Sequence, residues 1–168
     1  MGKEKIRKLT LTAMLMAICC VTTMFLSVPS VGGYTNLGDA FVLLGAMLLG
    51  PWYGMAAGGV GSALADLLTG YGYYVPGTLI IKGLVALIVG LFVHKLPFGK
   101  KRPMLGAGIG AVLGELWMVL GYWLYKALIL GNLAGAATSL PKNLIQAAAG
   151  VGVSLTMFAA LRKILNRP

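Results

Sequence analysis

Apolar residues run almost uninterrupted through six stretches of this chain, and polar residues collect in the short gaps between them. The first stretch, Leu9 to Val28, ends at Pro29 and gives way to Ser30–Gly38, a polar loop containing glycine. Asp39 to Leu49 is short, and Gly50–Pro51 turns the chain directly into a third stretch ending near Thr69. Gly70–Pro76 (GYGYYVP) is a second loop with three tyrosines, and a fourth stretch runs from Gly77 to about Val93. The fifth spans Met104 to about Leu130, and Gly131–Thr138 is a connection of small residues. Ser139 and Pro141 suit the N-cap and first turn of a sixth helix. A helix needs about 20 apolar residues to cross a bilayer. The pattern therefore predicts an all-α integral membrane bundle of six transmembrane helices, forming one membrane-embedded domain over residues 1–168.

Charge orients the bundle. Eleven of the 14 basic residues lie in three clusters, Lys3–Lys8, Lys95–Arg102 and Arg162–Arg167. Cytoplasmic loops retain Lys and Arg, so these clusters place both termini inside, with an even number of crossings between clusters. Composition agrees, since 58% of residues are hydrophobic and 11% charged, against about 25% charged in soluble domains. The net charge of +10 does not imply nucleic acid, because the basic residues flank apolar spans instead of forming a stripe interleaved with aromatics. The basic start followed by an apolar run resembles a secretory signal, but with no A-x-A cleavage site it reads as a retained first helix. Cys19 and Cys20 are adjacent and poorly placed to bridge one another, which makes them packing residues. Glycines repeat every four residues at Gly54/Gly58, Gly106/Gly110/Gly114 and Gly131/Gly135, a spacing that lets helices pack closely.

The remaining charges fall within apolar stretches or at their ends, where a charge is costly unless paired or working. On the fifth span Glu115, Tyr122 and Lys126 lie within about 40° of one face, and Asn143, Gln146 and Gly150 form a similar stripe on the sixth. At ~1.5 Å per residue, Glu115 lies near mid-membrane, and Asp66, Lys82, Lys126, Asn143 and Gln146 belong to the outer half. These residues predict a polar cavity open to the outside. Its charges balance, with Asp39, Asp66 and Glu115 against Lys82, Lys126 and Lys142, which suits a neutral or zwitterionic guest. Tyr34, Tyr71, Tyr73, Tyr74, Trp117, Tyr122 and Trp123 favour an aromatic ring. Other roles remain open for several of them. Asp39 can serve its helix dipole, Asp66 and Lys82 can pair between helices, Lys126 and Lys142 can snorkel to the interface, and the outer aromatics can be belt residues. His94 reads as an interface residue.

Zinc ligands and the phosphate-binding G-x-x-x-x-G-K-[ST] pattern are missing, so the chain is expected to bind rather than catalyse, with no metal and no cofactor. Two other readings stand beside binding. An autonomous channel or facilitator would need a continuous polar ring, and an enzyme would use Glu115 or Asp66 as base.

Several segments resemble the substrate-binding S components of energy-coupling factor (ECF) vitamin transporters. Ala13-x-x-x-Ala17 looks like the small-residue motif with which that family meets its transmembrane coupling subunit. Tyr34–Gly54 (YTNLGDAFVLLGAMLLGPWYG), Gly61–Tyr71 (GSALADLLTGY) and Pro76–Gly83 (PGTLIIKG) resemble the family's central region, and Pro141–Gly150 (PKNLIQAAAG) its sixth helix. The resemblance implies a non-catalytic capture subunit in a prokaryotic plasma membrane. It would bind a vitamin beneath its outer loops and topple in the bilayer to deliver it. A coupling subunit and two cytoplasmic ATPases would supply the energy. The resemblance makes Ala13 and Ala17 coupling contacts, and the loop near Asn36, the loop near Tyr71–Tyr74 and the polar faces of the last three helices the pocket. The NLGD and GSALAD segments look closest to members associated with pyridoxine-like compounds or hydroxymethylpyrimidine, with riboflavin-type members also similar. Asn36, Asp66, Tyr71, Tyr74, Lys82, Glu115, Tyr122, Asn143 and Gln146 are the expected ligand-binding residues.

Overall fold

Prolines set the helix starts, because their fixed φ suits the first turn and their missing N–H costs nothing there. Pro51, Pro97 and Pro103 open α3 (Pro51–Leu68), α5 (Pro97–Lys101) and α6 (Pro103–Leu130), while Pro76 and Pro141 sit in the first turns of α4 (Val75–His94) and α8 (Leu140–Leu165). The remaining helices are α1 (Lys3–Phe25), α2 (Gly38–Leu49) and the short α7 (Leu133–Ala137). In this computed structural model residues 2–30 and 33–165 are described, so Arg167 of the third basic cluster lies outside them. Among the described residues the fold is all-α apart from one hairpin, with a single 3-10 turn at Gly72–Tyr74 leading into α4.

That hairpin occupies the first loop and the last residues of the first apolar stretch, for α1 ends at Phe25 and Ser27 and Val28, expected in the first helix, belong to a strand. Strands β1 (Ser27–Ser30) and β2 (Gly33–Asn36) pair antiparallel with Ser27 opposite Asn36. The Leu37 N–H donates to the Leu26 carbonyl at 3.2 Å and closes the hairpin's base. Two four-residue strands leave little periodicity to read.

Among the described residues four segments are long and apolar enough to cross a membrane: Lys3–Phe25, Gly72–His94, Pro103–Leu130 and Leu133–Ile164. The chain is thus a multi-pass membrane protein. The second and third predicted spans differ from these. α2 has only 12 residues, about 18 Å of helix, and α3 carries four glycines and Asp66. α2 compensates by position, since it packs against α1, α3, α4 and α8 and buries Ala40, Val42, Leu43, Leu44, Ala46 and Met47.

Gly50 makes the α2–α3 turn at φ +85°, a backbone state that favours glycine. The His94 ring nitrogen lies 2.9 Å from the Met47 carbonyl, so this residue, expected only at the interface, also ties α4 to the end of α2. The glycine spacings divide by use. A Cβ at Gly54 would stand 2.5 Å from the Ala46 Cα, and one at Gly110 would stand 2.9 Å from the Phe92 Cβ, so both series are helix contacts. Gly131 faces open space and ends α6 in the left-handed conformation. Cys19 is buried, with its sulfur 3.4 Å from the Ser62 hydroxyl, and both cysteines are free.

Candidate functional site

At the end of the bundle away from the Lys95–Arg102 cluster, the hairpin, α3, α4, α6 and α8 surround a hollow of about 60 Å³ that opens to solvent. Asn36 comes from β2, Asp66 from α3, Tyr74 from the turn just before α4, and Thr78 from the start of α4. Tyr122 and Lys126 come from α6, and Ser139, Lys142, Asn143 and Gln146 from the entry to α8. The fold thus gathers six of the nine expected ligand residues, Asn36, Asp66, Tyr74, Tyr122, Asn143 and Gln146, around one cavity. Thr78 and Ser139 join them; small hydroxyl residues at helix starts carry no signal that separates lining a cavity from capping a helix.

Lys82, Glu115 and Tyr71 do not line it. Lys82 is buried behind the wall and forms an ion pair with Asp39, not with Asp66. Its ammonium lies 5.4 Å from the centre of the Tyr122 ring. Asp39 stands in the first turn of α2, but its charge is used in this pair and not only for the helix dipole. The Gln146 amide donates to its second oxygen at 2.7 Å, and the Gln146 carbonyl oxygen accepts the Asn36 backbone N–H at 3.0 Å. Asn36 in turn accepts the Gly38 N–H at 2.8 Å, a local turn that asparagine favours. One buried chain of bonds therefore runs from α4 through α2 and α8 to the hairpin. A carboxylate with two charge-assisted partners holds the Gln146 amide in a single orientation.

Glu115 is 2% exposed, and neither carboxylate oxygen has a hydrogen-bond partner among the described residues. It sits beside Asp39 across Gly150, whose notional Cβ would lie 3.6 Å from Glu115 Oε1 and 3.0 Å from the Asp39 Cβ. Tyr71 belongs to the rim, where its ring meets Tyr73 edge-on at 6.2 Å. Tyr74 links that rim to the wall, with its ring centre 6.3 Å from Tyr122 and 6.0 Å from Tyr125. The Tyr122 hydroxyl donates to Thr78 at 3.0 Å. Trp117 and Trp123 do not line the cavity, and the Tyr34 side chain lies outside those described.

The charge balance differs from the count made on sequence. Asp39 and Lys82 neutralise one another behind the wall, and Glu115 is buried away from it. Asp66 alone faces Lys126 and Lys142 across the hollow. Lys126 is 6% exposed and turned inward with Thr138 at 3.4 Å, so it does not snorkel to the interface.

On α1, Ala13 and Ala17 are exposed, together with Ile6, Leu9, Met14, Ile18, Val21 and Phe25. This face is turned away from the other helices and is open to lipid or to a partner.

A membrane bundle with a polar, aromatic-walled pocket at one end defines a membrane-embedded small-molecule-binding protein. Residues 3–163 match the family described as ECF-type riboflavin transporter, S component, and the chain belongs to that family. It is accordingly a substrate-binding subunit of a transporter, of a family that is generally non-catalytic and works with ECF transmembrane and ATPase subunits. The chain is also 42% identical over 133 residues to an uncharacterized protein in the gap 3′ region of Pyrococcus woesei, covering 78% of this chain and 85% of that protein.

Proposed function

We propose that the chain captures a small aromatic vitamin or vitamin precursor at the outer face of a prokaryotic plasma membrane, for import driven by ATP hydrolysis in partner subunits. Six crossings with both termini cytoplasmic fit this role, the short α2 and glycine-rich α3 serving as the second and third. The family description favours riboflavin, and pyridoxine-like compounds and hydroxymethylpyrimidine are the other candidates. The observation that carries the reading is the placement of Asn36, Asn143 and Gln146 around one cavity beside Tyr74 and Tyr122, in a chain matched to the family over residues 3–163. Aromatic rings supply stacking area, and the amides give orientation. Asp66 adds an acceptor. Ala13 and Ala17 supply the close-approach face for the coupling subunit, and toppling of the whole bundle delivers the ligand.

Native mass spectrometry of the chain purified from its own membrane tests this. A co-purifying mass of a ring vitamin and recovery of ATPase subunits are expected. Neither a ligand mass nor an ATPase partner, together with no binding across a vitamin panel, would overturn it.

A further inference from the structure

We infer that Asp39, which does not line the cavity, is a positioning residue for ligand binding: it acts through Gln146, by fixing which end of that amide donates and which accepts. This deepens the capture reading and rests on it.

A glutamine side chain ends in two donors on nitrogen and two lone pairs on oxygen, in arms of nearly equal shape, so packing alone does not decide which arm lies where. Here two bonds decide it. Gln146 Nε2 donates to Asp39 Oδ2 at 2.7 Å, and Gln146 Oε1 accepts the Asn36 backbone N–H at 3.0 Å. Turning the amide over would set its oxygen against the carboxylate and its nitrogen against a donor, so both bonds would be lost together. With the two bonds made, one N–H and one lone pair of Gln146 remain, on a residue that lines the cavity. A ligand therefore meets a donor and an acceptor in fixed places.

Asp39 is itself held. Lys82 pairs with its other oxygen, and the carboxylate is 1% exposed, so water does not compete for Gln146. Helices α2 and α8 approach closely enough for the contact because Gly150, one turn beyond Gln146 on the same face, has no side chain; a Cβ there would stand 3.0 Å from the Asp39 Cβ. At the far end of the chain of bonds Asn36 also lines the cavity. Asp39 thus bears on two lining residues without reaching the ligand.

Calorimetric titration of the detergent-purified chain with riboflavin, pyridoxine and hydroxymethylpyrimidine tests this through a cycle. For the compound that binds, four forms are compared: the parent, Gln146→Ala, Asp39→Ala/Lys82→Met, and all three substitutions together. Removing both charges at once separates positioning from the cost of a stranded lysine. The Asp39→Ala/Lys82→Met variant is expected to lose roughly tenfold in affinity, whereas the same two substitutions made on Gln146→Ala should change it by less than about twofold. A residue that only stabilises the bundle would act alike with or without Gln146. Losses that add, or an Asp39→Ala/Lys82→Met chain that binds as tightly as the parent, therefore overturn the positioning role. Asp39→Asn/Lys82→Met keeps an oxygen for the Gln146 N–H and is expected to restore affinity to within about threefold of the parent; a loss of roughly tenfold there as well overturns the inference even if the alanine variant does not fold. Each of these results leaves vitamin capture standing. A parent chain that binds none of the three compounds overturns the capture reading for them, and this inference with it.

Discussion

Asp39→Ala is expected to lower stability by about 3–5 kcal/mol, the usual cost of leaving one member of a buried ion pair without its counter-charge. Asp39 is 1% exposed and Lys82 3% exposed, so neither can recruit water without opening the bundle. The damage extends beyond the pair, because Asp39 also fixes the Gln146 amide that holds the Asn36 N–H. Loss of the carboxylate should therefore loosen the hairpin as well as strand the lysine. The double variant Asp39→Ala/Lys82→Met, which removes both charges, should recover most of the stability, since apolar replacement of a whole buried pair is often close to neutral. Thermal unfolding in detergent measures both. A single variant as stable as the parent would mean that Lys82 turns to Glu115, the other buried carboxylate beside Asp39.

The second large effect is expected on transport with no change in the pocket. Ala17→Trp, and likewise Ala13→Trp, should abolish uptake in cells while leaving ligand affinity unchanged. Both alanines are exposed on α1, and none of the lining residues comes from α1, so a bulky side chain on this face meets only lipid or a partner. Close approach of two helices depends on small residues at the contact, and an indole there holds the backbones apart. Uptake of labelled ligand, read beside equilibrium binding to the purified chain, separates the two functions. Normal uptake by both variants would remove this face of α1 from the coupling contact.

What could be read from the sequence follows from which signals are local. Helix ends were legible because prolines and basic clusters mark them, and the polar stripes on α6 and α8 were legible because 100° per residue is fixed geometry. Asn143, Gln146, Tyr122 and Lys126 accordingly line one hollow. Burial was also legible for Glu115, which is 2% exposed, but its neighbours were not. Pairing between helices depends on rotations about each axis that no single helix encodes, so Lys82 was as easily assigned to Asp66 as to Asp39. The balanced charge count failed for the same reason, because it treated every charge at one depth as facing one space. The hairpin was missed because eight residues, with Pro29 and Gly33 among them, carry no strand signal. His94 looked like an interface residue because its partner, the Met47 carbonyl, is a backbone group that sequence cannot point to.

The central claim is that the amide groups at the α8 entry grip a ligand and do more than brace the helices. Dissociation constants for riboflavin and pyridoxine, measured on the purified chain and on Asn143→Ala and Gln146→Ala, test it most directly. A loss of affinity of roughly tenfold or more in each variant, for the compound that binds, is the predicted result. An unchanged dissociation constant in both variants would contradict the account.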